Sequence, residues 1–150
     1  MKFCDPNPPI QSTKPLRKVI STLLIYQQKI LILKRSRRVG SFQGYWSCIS
    51  GYLERNEDPL KTAMREVTEE TQKDLTSLSL VNRAGPFYSE TEEIIFESFW
   101  FCFDCEDQII SLDWEHDEFE WIDPRDDQYL KNKKVVPWLE KMVQCLIFTN

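Results

Sequence analysis

Three glutamates near the middle of the chain have the type and spacing needed to hold a metal ion. Glu66, Glu69 and Glu70 follow an Asp-Pro pair at residues 58–59, which is typical of a helix N-cap and the first helical residue. On such a helix they occupy positions i, i+3 and i+4 and share one face. Like charges so close together repel, whereas a compact set of carboxylate oxygens suits Mg²⁺ or Mn²⁺. The alternative interpretation is an ordinary solvated acidic face.

These glutamates belong to a longer pattern that begins at Gly51. The pattern is Gly, five residues, Glu, seven residues, Arg-Glu, an aliphatic residue, any residue and Glu-Glu. Its fixed positions are filled in register by Gly51, Glu57, Arg65, Glu66, Val67, Glu69 and Glu70. In this respect the chain resembles the Nudix hydrolase family. The resemblance implies an α/β (α+β) fold, namely the family's α/β/α sandwich with a mixed sheet.

The resemblance also implies a set of metal ligands. Glu66, Glu69 and Glu70 would hold Mg²⁺, with Mn²⁺ as a possible substitute. The family's glycine lets the backbone approach the metal, so Gly51 and the carbonyl of Ser50 are further candidate ligands. The base that takes a proton from the attacking water would be a carboxylate, with Glu69 as one candidate.

Two further features concern the ends of the predicted helix. By the resemblance, Arg65 would pair with Glu57 and orient the loop that precedes the helix. The family's pattern closes with Gly and an aliphatic residue, where this chain has Gln72 and Lys73. A glutamine in the left-handed conformation that such a glycine adopts is strained by about 1–2 kcal/mol. We therefore expect the helix to end differently, by running on for part of a turn.

A second acidic segment, residues 115–121, precedes and enters a late predicted strand. Family members often use one more acid in such a place, and Glu115, six residues before Trp121, is the preferred metal ligand or base. Asp117 and Glu118 are its rivals, and ordinary loop acids are the alternative interpretation. His116 is the only histidine and is set aside, because a lone histidine is more often structural or exposed than catalytic.

A group of basic residues and three aromatic residues are candidates for binding substrate. The basic group precedes the predicted strand at Trp46 and comprises Lys34, Arg35, Arg37 and Arg38. Arginine favours bidentate phosphate contacts, and Arg35 has the best position, although a solvated basic hairpin end is the alternative. Trp46, Phe42 and Tyr88 could stack on a base, whereas burial in the core is the alternative for all three and is preferred for Trp46.

The order of predicted elements is strands, helix, strands, helix. Strands are predicted over residues 19–26, 30–33, 46–49, 78–81, 94–103 and 118–122, with a basic loop over 36–44 and a closing helix over 135–148. This order predicts a mixed sheet between helices. Residues 1–16 are expected to be a tail or a first edge segment, and residues 17–150 a single domain.

Charge and composition exclude several other classes of protein. The 150 residues have a net charge of -5, which divides into +8 for residues 1–53 and -13 for residues 54–150. The acidic total argues against stable nucleic-acid binding, and no apolar run is long enough to cross a bilayer. Five scattered cysteines favour a reducing, cytoplasmic location over a disulfide scaffold. The pair Cys102 and Cys105 is discounted as a zinc site, because a strand places these side chains on opposite faces.

The predicted function is Mg²⁺-dependent hydrolysis of a phosphoanhydride in a nucleoside diphosphate linked to another group. Residues 45–51, 97–101 and 115–121 resemble segments of the dihydroneopterin triphosphate (dATP) pyrophosphohydrolase branch of the family. The resemblance implies a nucleoside or pterin triphosphate as substrate, with release of pyrophosphate. The alternatives are a dinucleoside polyphosphate hydrolase and a non-catalytic Nudix-fold module that binds nucleotides. The sequence makes no prediction of the oligomeric state.

Overall fold

The computed structural model describes residues 4–10 and 12–148, and within them a mixed sheet lies between two helices. The strands are β1 (Leu16–Tyr26), β2 (Lys29–Arg35), β3 (Trp46–Ser47), β4 (Ile49–Tyr52), β5 (Leu78–Glu90), β6 (Ile95–Cys105) and β7 (His116–Ile122). The helices are α1 (Pro59–Thr71) and α2 (Leu139–Ile147), and a short 3₁₀ turn covers Leu75–Ser77. The predicted mixed-sheet sandwich is confirmed. No helix of the described residues has the length and apolar content needed to cross a membrane.

Pairing with β1 and β2 organises the sheet. The main path runs in the order β3-β2-β1-β6-β5, while β4 pairs with β1 and β7 pairs with β2 beside it. The β1–β6 pair is parallel, and the other pairs are antiparallel. This topology brings β4, which leads into α1, and β7 to the same part of the sheet.

The strands bury apolar side chains on both faces, one core under each helix. The core on the α1 side includes Ile20 and Val67, and the core on the α2 side includes Leu23 and Leu139. Alternate residues of one strand therefore serve different cores, as strand geometry requires. Cys102 belongs to the α2-side core and Cys105 to the α1-side core, as predicted for two residues on opposite faces.

The closing helix begins later than residue 135, so that boundary was wrong. Trp46 of β3 donates its amide hydrogen to the carbonyl of Lys134 at 2.7 Å and accepts one from Val136 at 3.0 Å. These bonds hold residues 134–136 extended beside β3. Pro137 also disfavours helical geometry in the residue before it. Helix α2 therefore starts at Leu139.

Strand β5 is much longer than the predicted residues 78–81. It continues through Gly85 and Pro86, two residue types that usually interrupt a strand. Its register against β6 shifts between Leu80 and Asn82 and again between Ala84 and Phe87. Irregularities of this kind are typical of edge strands, where glycine and proline are tolerated. On its outer edge, β5 pairs at Tyr88 with Asp5, so part of the segment over residues 1–16 adjoins the sheet.

The expectation that α1 would run past Gln72 was wrong. The helix ends at Thr71, and Gln72 adopts the left-handed conformation with φ 63°. Its amide hydrogen bonds to the carbonyl of Thr68 at 2.9 Å. The hydroxyl of Thr68 also donates to the carbonyl of Lys73 at 2.9 Å, and the buried Lys73 ammonium bonds to Asp107 at 2.8 Å. This anchoring of the residues after the helix outweighs the strain at Gln72.

Candidate metal centre

The loop before α1 is held in place by one glutamate. The Oε1 atom of Glu57 accepts a hydrogen bond from the amide of Glu54 at 2.8 Å. Its Oε2 atom accepts two more, and the shorter of these comes from Arg65 Nη1 at 2.7 Å. The second of these donors is the hydroxyl of Thr62, at 3.4 Å. The bond from Glu54, followed by the guanidinium of Arg65, keeps the pKa of Glu57 below its ordinary value. The predicted ion pair of Arg65 with Glu57 is therefore present, and it ties the loop to the helix.

Gly51 provides the space in which the carboxylate of Glu66 lies against β4. A Cβ atom at residue 51 would lie 2.3 Å from the Cδ atom of Glu66 and 2.4 Å from its Oε1 atom, far inside contact distance. Any larger residue would displace this carboxylate. Burial, followed by repulsion from Glu69, raises the pKa of Glu66 above its ordinary value.

Glu70 is the most unusual carboxyl group of the site. Only 1% of the residue is exposed, and within the described part of the chain no N–H or hydroxyl group donates to its side-chain oxygens. The one group that can share a proton with them is another acid, the carboxyl of Glu66. Burial raises its pKa well above the ordinary value, and the charges of Glu115 and Glu66 raise it further. A buried acceptor without a donor costs about 1–3 kcal/mol, so stability does not account for a glutamate here.

The residues just before β7 and the first residue of that strand bring three more side chains to Glu70. Ligand atoms of Glu70, Glu115 and His116 all lie within 4.8 Å of one another. His116 Nδ1 lies 3.8 Å from Glu70 Oε1 and 3.6 Å from Asp113 Oδ1. Burial, followed by the charge of Arg35, lowers the pKa of His116 to about 4, so its ring is neutral at pH 7. Neutral imidazole and carboxylate oxygens are both metal ligands.

The sequence-predicted acids fall into two groups. Glu66, Glu70 and Glu115 converge, whereas Glu69 lies at the exposed rim, with Arg65 Nε 3.6 Å from its Oε1 atom. Burial, followed by the charge of Asp113, raises the pKa of the half-buried Glu115. Ser50 and Gly51 lie on β4 beside this group.

The rivals of Glu115 do not join this group. Asp117 is exposed, and the carboxylate of Glu118 accepts from Lys34 at 3.1 Å.

The end of β2 and the basic loop that follows it adjoin the turn that carries Glu115. The charge of Arg35 acts on Glu115 and opposes the rise in the pKa of that carboxyl. The guanidinium of Arg38 lies 5.6 Å from the centre of the Trp114 ring, and Arg37 is exposed. Two of the three arginines predicted to bind phosphate thus lie next to the acidic turn.

The aromatic residues chosen from the sequence lie elsewhere. Trp46 packs against the α2-side core, on the face of the sheet opposite α1, which agrees with the interpretation preferred for it. Phe42 packs edge-to-face on Trp138 in the same region. Tyr88 lies on β5, at the far end of the main strand path from β2 and β3, and its hydroxyl donates to Glu97 at 2.7 Å. None of the three is part of the carboxylate cluster.

Comparison with known proteins identifies the family of this arrangement. Residues 15–144 match the NUDIX domain profile. The chain belongs to the Nudix family. The predicted resemblance to Nudix hydrolases, made from the pattern between Gly51 and Glu70, is therefore confirmed.

Solved structures and one curated relative extend the comparison of this Nudix chain. It resembles the MutT protein from Methanosarcina mazei Go1 with a TM-score of 0.70 and 20% identity, covering 90% of this chain and 95% of that one. It also resembles the E. coli dihydroneopterin triphosphate pyrophosphohydrolase, with a TM-score of 0.66 and 22% identity over 91% and 100% of the two chains. A Myxococcus xanthus octanoyltransferase is 29% identical over 99 residues, which are 65% of this chain but only 27% of that protein.

Sequence reasoning missed His116 and Asp113 of this Nudix site. Phe119 and Trp121 lie on the face of β7 that looks toward α1. Regular alternation along the strand would place Asp117 on that same face. A register shift opposite β2 instead pairs Arg35 with His116, and so His116 faces α1 in place of Asp117. The one usable signal was the adjacency of His116 to Glu115.

Proposed function

We propose that this chain hydrolyses a phosphoanhydride bond in a nucleoside diphosphate linked to another group, with a divalent metal as cofactor. The observation that carries the proposal is the carboxyl group of Glu70, which is buried without a hydrogen-bond donor in the described structure and lies beside Glu115 and His116. A protein keeps such a costly arrangement where it serves chemistry.

The donor atoms fit a hard divalent cation. Carboxylate oxygens of Glu66, Glu70 and Glu115 would hold Mg²⁺ or Mn²⁺, with the carbonyl of Ser50 as a further ligand and Gly51 leaving room for Glu66. When bound, the cation would neutralise phosphate oxygens and lower the pKa of a nearby water. It would also satisfy the orphaned oxygens of Glu70.

The remaining residues position substrate and move a proton. Glu69 is the most accessible of the helix glutamates and takes the proton from the attacking water, with Glu115 as the alternative base. The ion pair of Arg65 with Glu57 fixes the loop that leads into α1. Arg35, beside Glu115, binds a phosphate oxygen of the substrate.

Within this class we propose a nucleoside or pterin triphosphate that releases pyrophosphate. The similarity to the E. coli dihydroneopterin triphosphate pyrophosphohydrolase supports this choice, and so do the arginines beside Glu115, which suit an extended polyphosphate. A cytoplasmic location belongs to the same proposal, because all five cysteines are free thiols.

Phosphate and pyrophosphate release across a nucleotide panel tests the proposal. The panel contains dATP, dihydroneopterin triphosphate, ADP-ribose and a dinucleoside polyphosphate, each with Mg²⁺, with Mn²⁺ and with EDTA. Pyrophosphate release from a triphosphate is the expected result. Turnover of the dinucleotide alone would favour the alternative hydrolase, and binding without any turnover would favour a non-catalytic module.

Single substitutions test the residue roles. Glu69→Gln and Glu70→Gln should each lower kcat by about 100-fold or more, because each removes a charge needed at the reacting centre. Glu92→Gln, at an exposed residue in the turn before β6, is the matched control and should retain activity. Near-normal kcat in both site variants, with circular dichroism showing a native fold, would contradict the roles given to these glutamates.

A further inference from the structure

The turn that carries Glu115 also carries a tryptophan that packing does not explain. Trp114 is 52% exposed, whereas the neighbouring Glu115 is half-buried and His116 is 4% exposed. Exposed apolar side chains are common when they are scattered, and Ile109 of the same loop is 75% exposed. Trp114 differs from Ile109 because it is adjacent in sequence to a carboxylate of the metal centre.

Hydrogen bonds of the adjacent residues hold the backbone on both sides of Trp114. Asp113 Oδ1 accepts the amide hydrogen of Glu115 at 3.1 Å, and the carbonyl of Asp113 accepts that of His116 at 3.5 Å. From the other side, Ser36 donates its amide hydrogen to the carbonyl of Glu115 at 2.8 Å. The backbone that carries Trp114 is therefore tied both to the start of β7 and to the basic loop.

A cation lies against the ring of this tryptophan. The guanidinium of Arg38 is 5.6 Å from the ring centre, within the range of a cation–π contact. The backbone of Arg38 is itself anchored, since its amide hydrogen bonds to the hydroxyl of Ser36 at 3.2 Å. A flat ring and an adjacent guanidinium can bind a molecule that has both an aromatic ring and phosphate groups.

We propose that Trp114 is the platform on which the aromatic ring of the substrate stacks, with Arg38 beside it contacting the phosphate chain. The inference rests on the proposed function and deepens it, because it assigns the group that recognises the part of the substrate that does not react. A platform that is half in water accepts any large flat ring, so purine and pterin triphosphates bind better than polyphosphates that lack a ring. Trp114 takes the stacking role for which Trp46, Phe42 and Tyr88 were the candidates in the sequence.

Steady-state kinetics of Trp114 variants test this inference. Trp114→Ala should raise KM for dATP by about 5- to 150-fold, the measured range for loss of one stacked base, with a smaller effect on kcat. The ratio of kcat/KM for dATP to kcat/KM for inorganic tripolyphosphate should fall by a similar factor. Trp114→Phe should restore most of the ratio, because it keeps a flat ring. Ile109→Ala, in the same loop, is the control and should leave the ratio unchanged.

A binding experiment separates failure of this inference from failure of the proposed function. Binding of dATP and of dihydroneopterin triphosphate, with Ca²⁺ in place of Mg²⁺ so that the carboxylate charge is still neutralised, is measured by calorimetry for wild type, Trp114→Ala and Trp114→Leu. Weaker binding by both variants supports the platform even if the wild type hydrolyses nothing. Equal binding by wild type and variants, or an unchanged kinetic ratio, would overturn it, and so would a wild type that binds neither triphosphate. Since the ring is half-exposed, Trp114→Leu should keep the wild-type Tm to within a few degrees and so report on binding alone.

Discussion

Gly51 decides where the carboxylate of Glu66 lies. The missing side chain at residue 51 lets this carboxylate reach the backbone of β4, and a Cβ atom there would lie 2.3 Å from the Cδ atom of Glu66. The atoms it would meet belong to the end of a flexible side chain, so Glu66 could move away at little cost to the fold. The glycine therefore serves the placement of a candidate ligand more than stability.

The substitution Gly51→Ala separates these two roles. We expect the free energy of unfolding to change by no more than about 1 kcal/mol, because alanine suits a strand better than glycine and Glu66 can yield. Activity should fall by about 100-fold, since a ligand displaced by 1 Å or more disturbs the reacting geometry. Urea unfolding and kcat at several Mg²⁺ concentrations measure the two effects.

Gly40→Ala is the matched control for this residue. A Cβ atom at Gly40 would have no heavy atom within 4 Å among its described surroundings. Both its stability and its activity should stay near wild type. If Gly51→Ala also kept full activity at limiting Mg²⁺, the space beside Glu66 would have no part in metal binding.

Helix α1 carries the candidate site, and its C-terminal end is strained at one residue. Gln72 has φ 63° and ψ 17°, the left-handed region that glycine occupies without steric cost. Replacing Gln72 with Gly should therefore raise the free energy of unfolding by about 1 kcal/mol, which raises Tm by about 2–4 °C. Thermal unfolding followed by circular dichroism measures the shift.

Gln108→Gly provides the comparison for that prediction. Gln108 is exposed, and it is not among the described residues with positive φ. Glycine there only adds conformational freedom to the unfolded chain, so Tm should stay level or fall. A lower Tm for Gln72→Gly would mean that the contacts of the glutamine side chain, such as its bond to the carbonyl of Glu69, outweigh the backbone strain.

The elements also show which parts of the fold follow from local sequence. The position of α1 and the convergence of Glu66 and Glu70 were predictable, because a cap, a proline and helical spacing are local signals. The remaining features depend on which distant strand each segment pairs with. The register shift against β2 turns His116 toward α1, and bonds to β3 delay the start of α2. Such pairings join residues far apart in the chain, so periodicity within one segment does not reveal them.

The topology of the sheet places the basic first part of the chain beside the acidic second part. The basic first part supplies the central strands β1 and β2, and the acidic second part supplies their later partners. Among the described residues, three ion pairs join the two parts, namely Lys14–Glu90 at 2.9 Å, Lys18–Glu97 at 3.8 Å and Lys34–Glu118 at 3.1 Å. Arg35 and Arg38 are outside these pairs and lie beside the turn that carries Glu115. These two arginines are thus placed where they can meet a polyphosphate at the candidate site.

The two cores on either side of the sheet contain thiols whose burial predicts a loss of stability at alkaline pH. Burial raises the pKa of Cys48 and of Cys102 to about 12, and that of Cys105 to about 11. In the unfolded chain these thiols ionise near pH 9, while in the folded protein they stay protonated. The folded state then binds more protons, so the stabilisation is complete below pH 9 and is lost as pH rises from 9 toward 12.

The variant Cys102→Ala tests this dependence on pH. A thiol with a folded pKa near 12 lowers the free energy of unfolding by about 1.4 kcal/mol for each pH unit above pH 9. Between pH 8.5 and 10.5, the free energy of unfolding of Cys102→Ala should therefore fall by about 2 kcal/mol less than that of wild type. Guanidinium unfolding at both pH values gives this difference, and the cavity left by the substitution cancels because it is present at both. Val143→Ala, in the same core but without a titrating group, should shift both values equally and keep the wild-type slope. If Cys102→Ala kept that slope as well, ionisation of the Cys102 thiol would have no part in the loss of stability at alkaline pH.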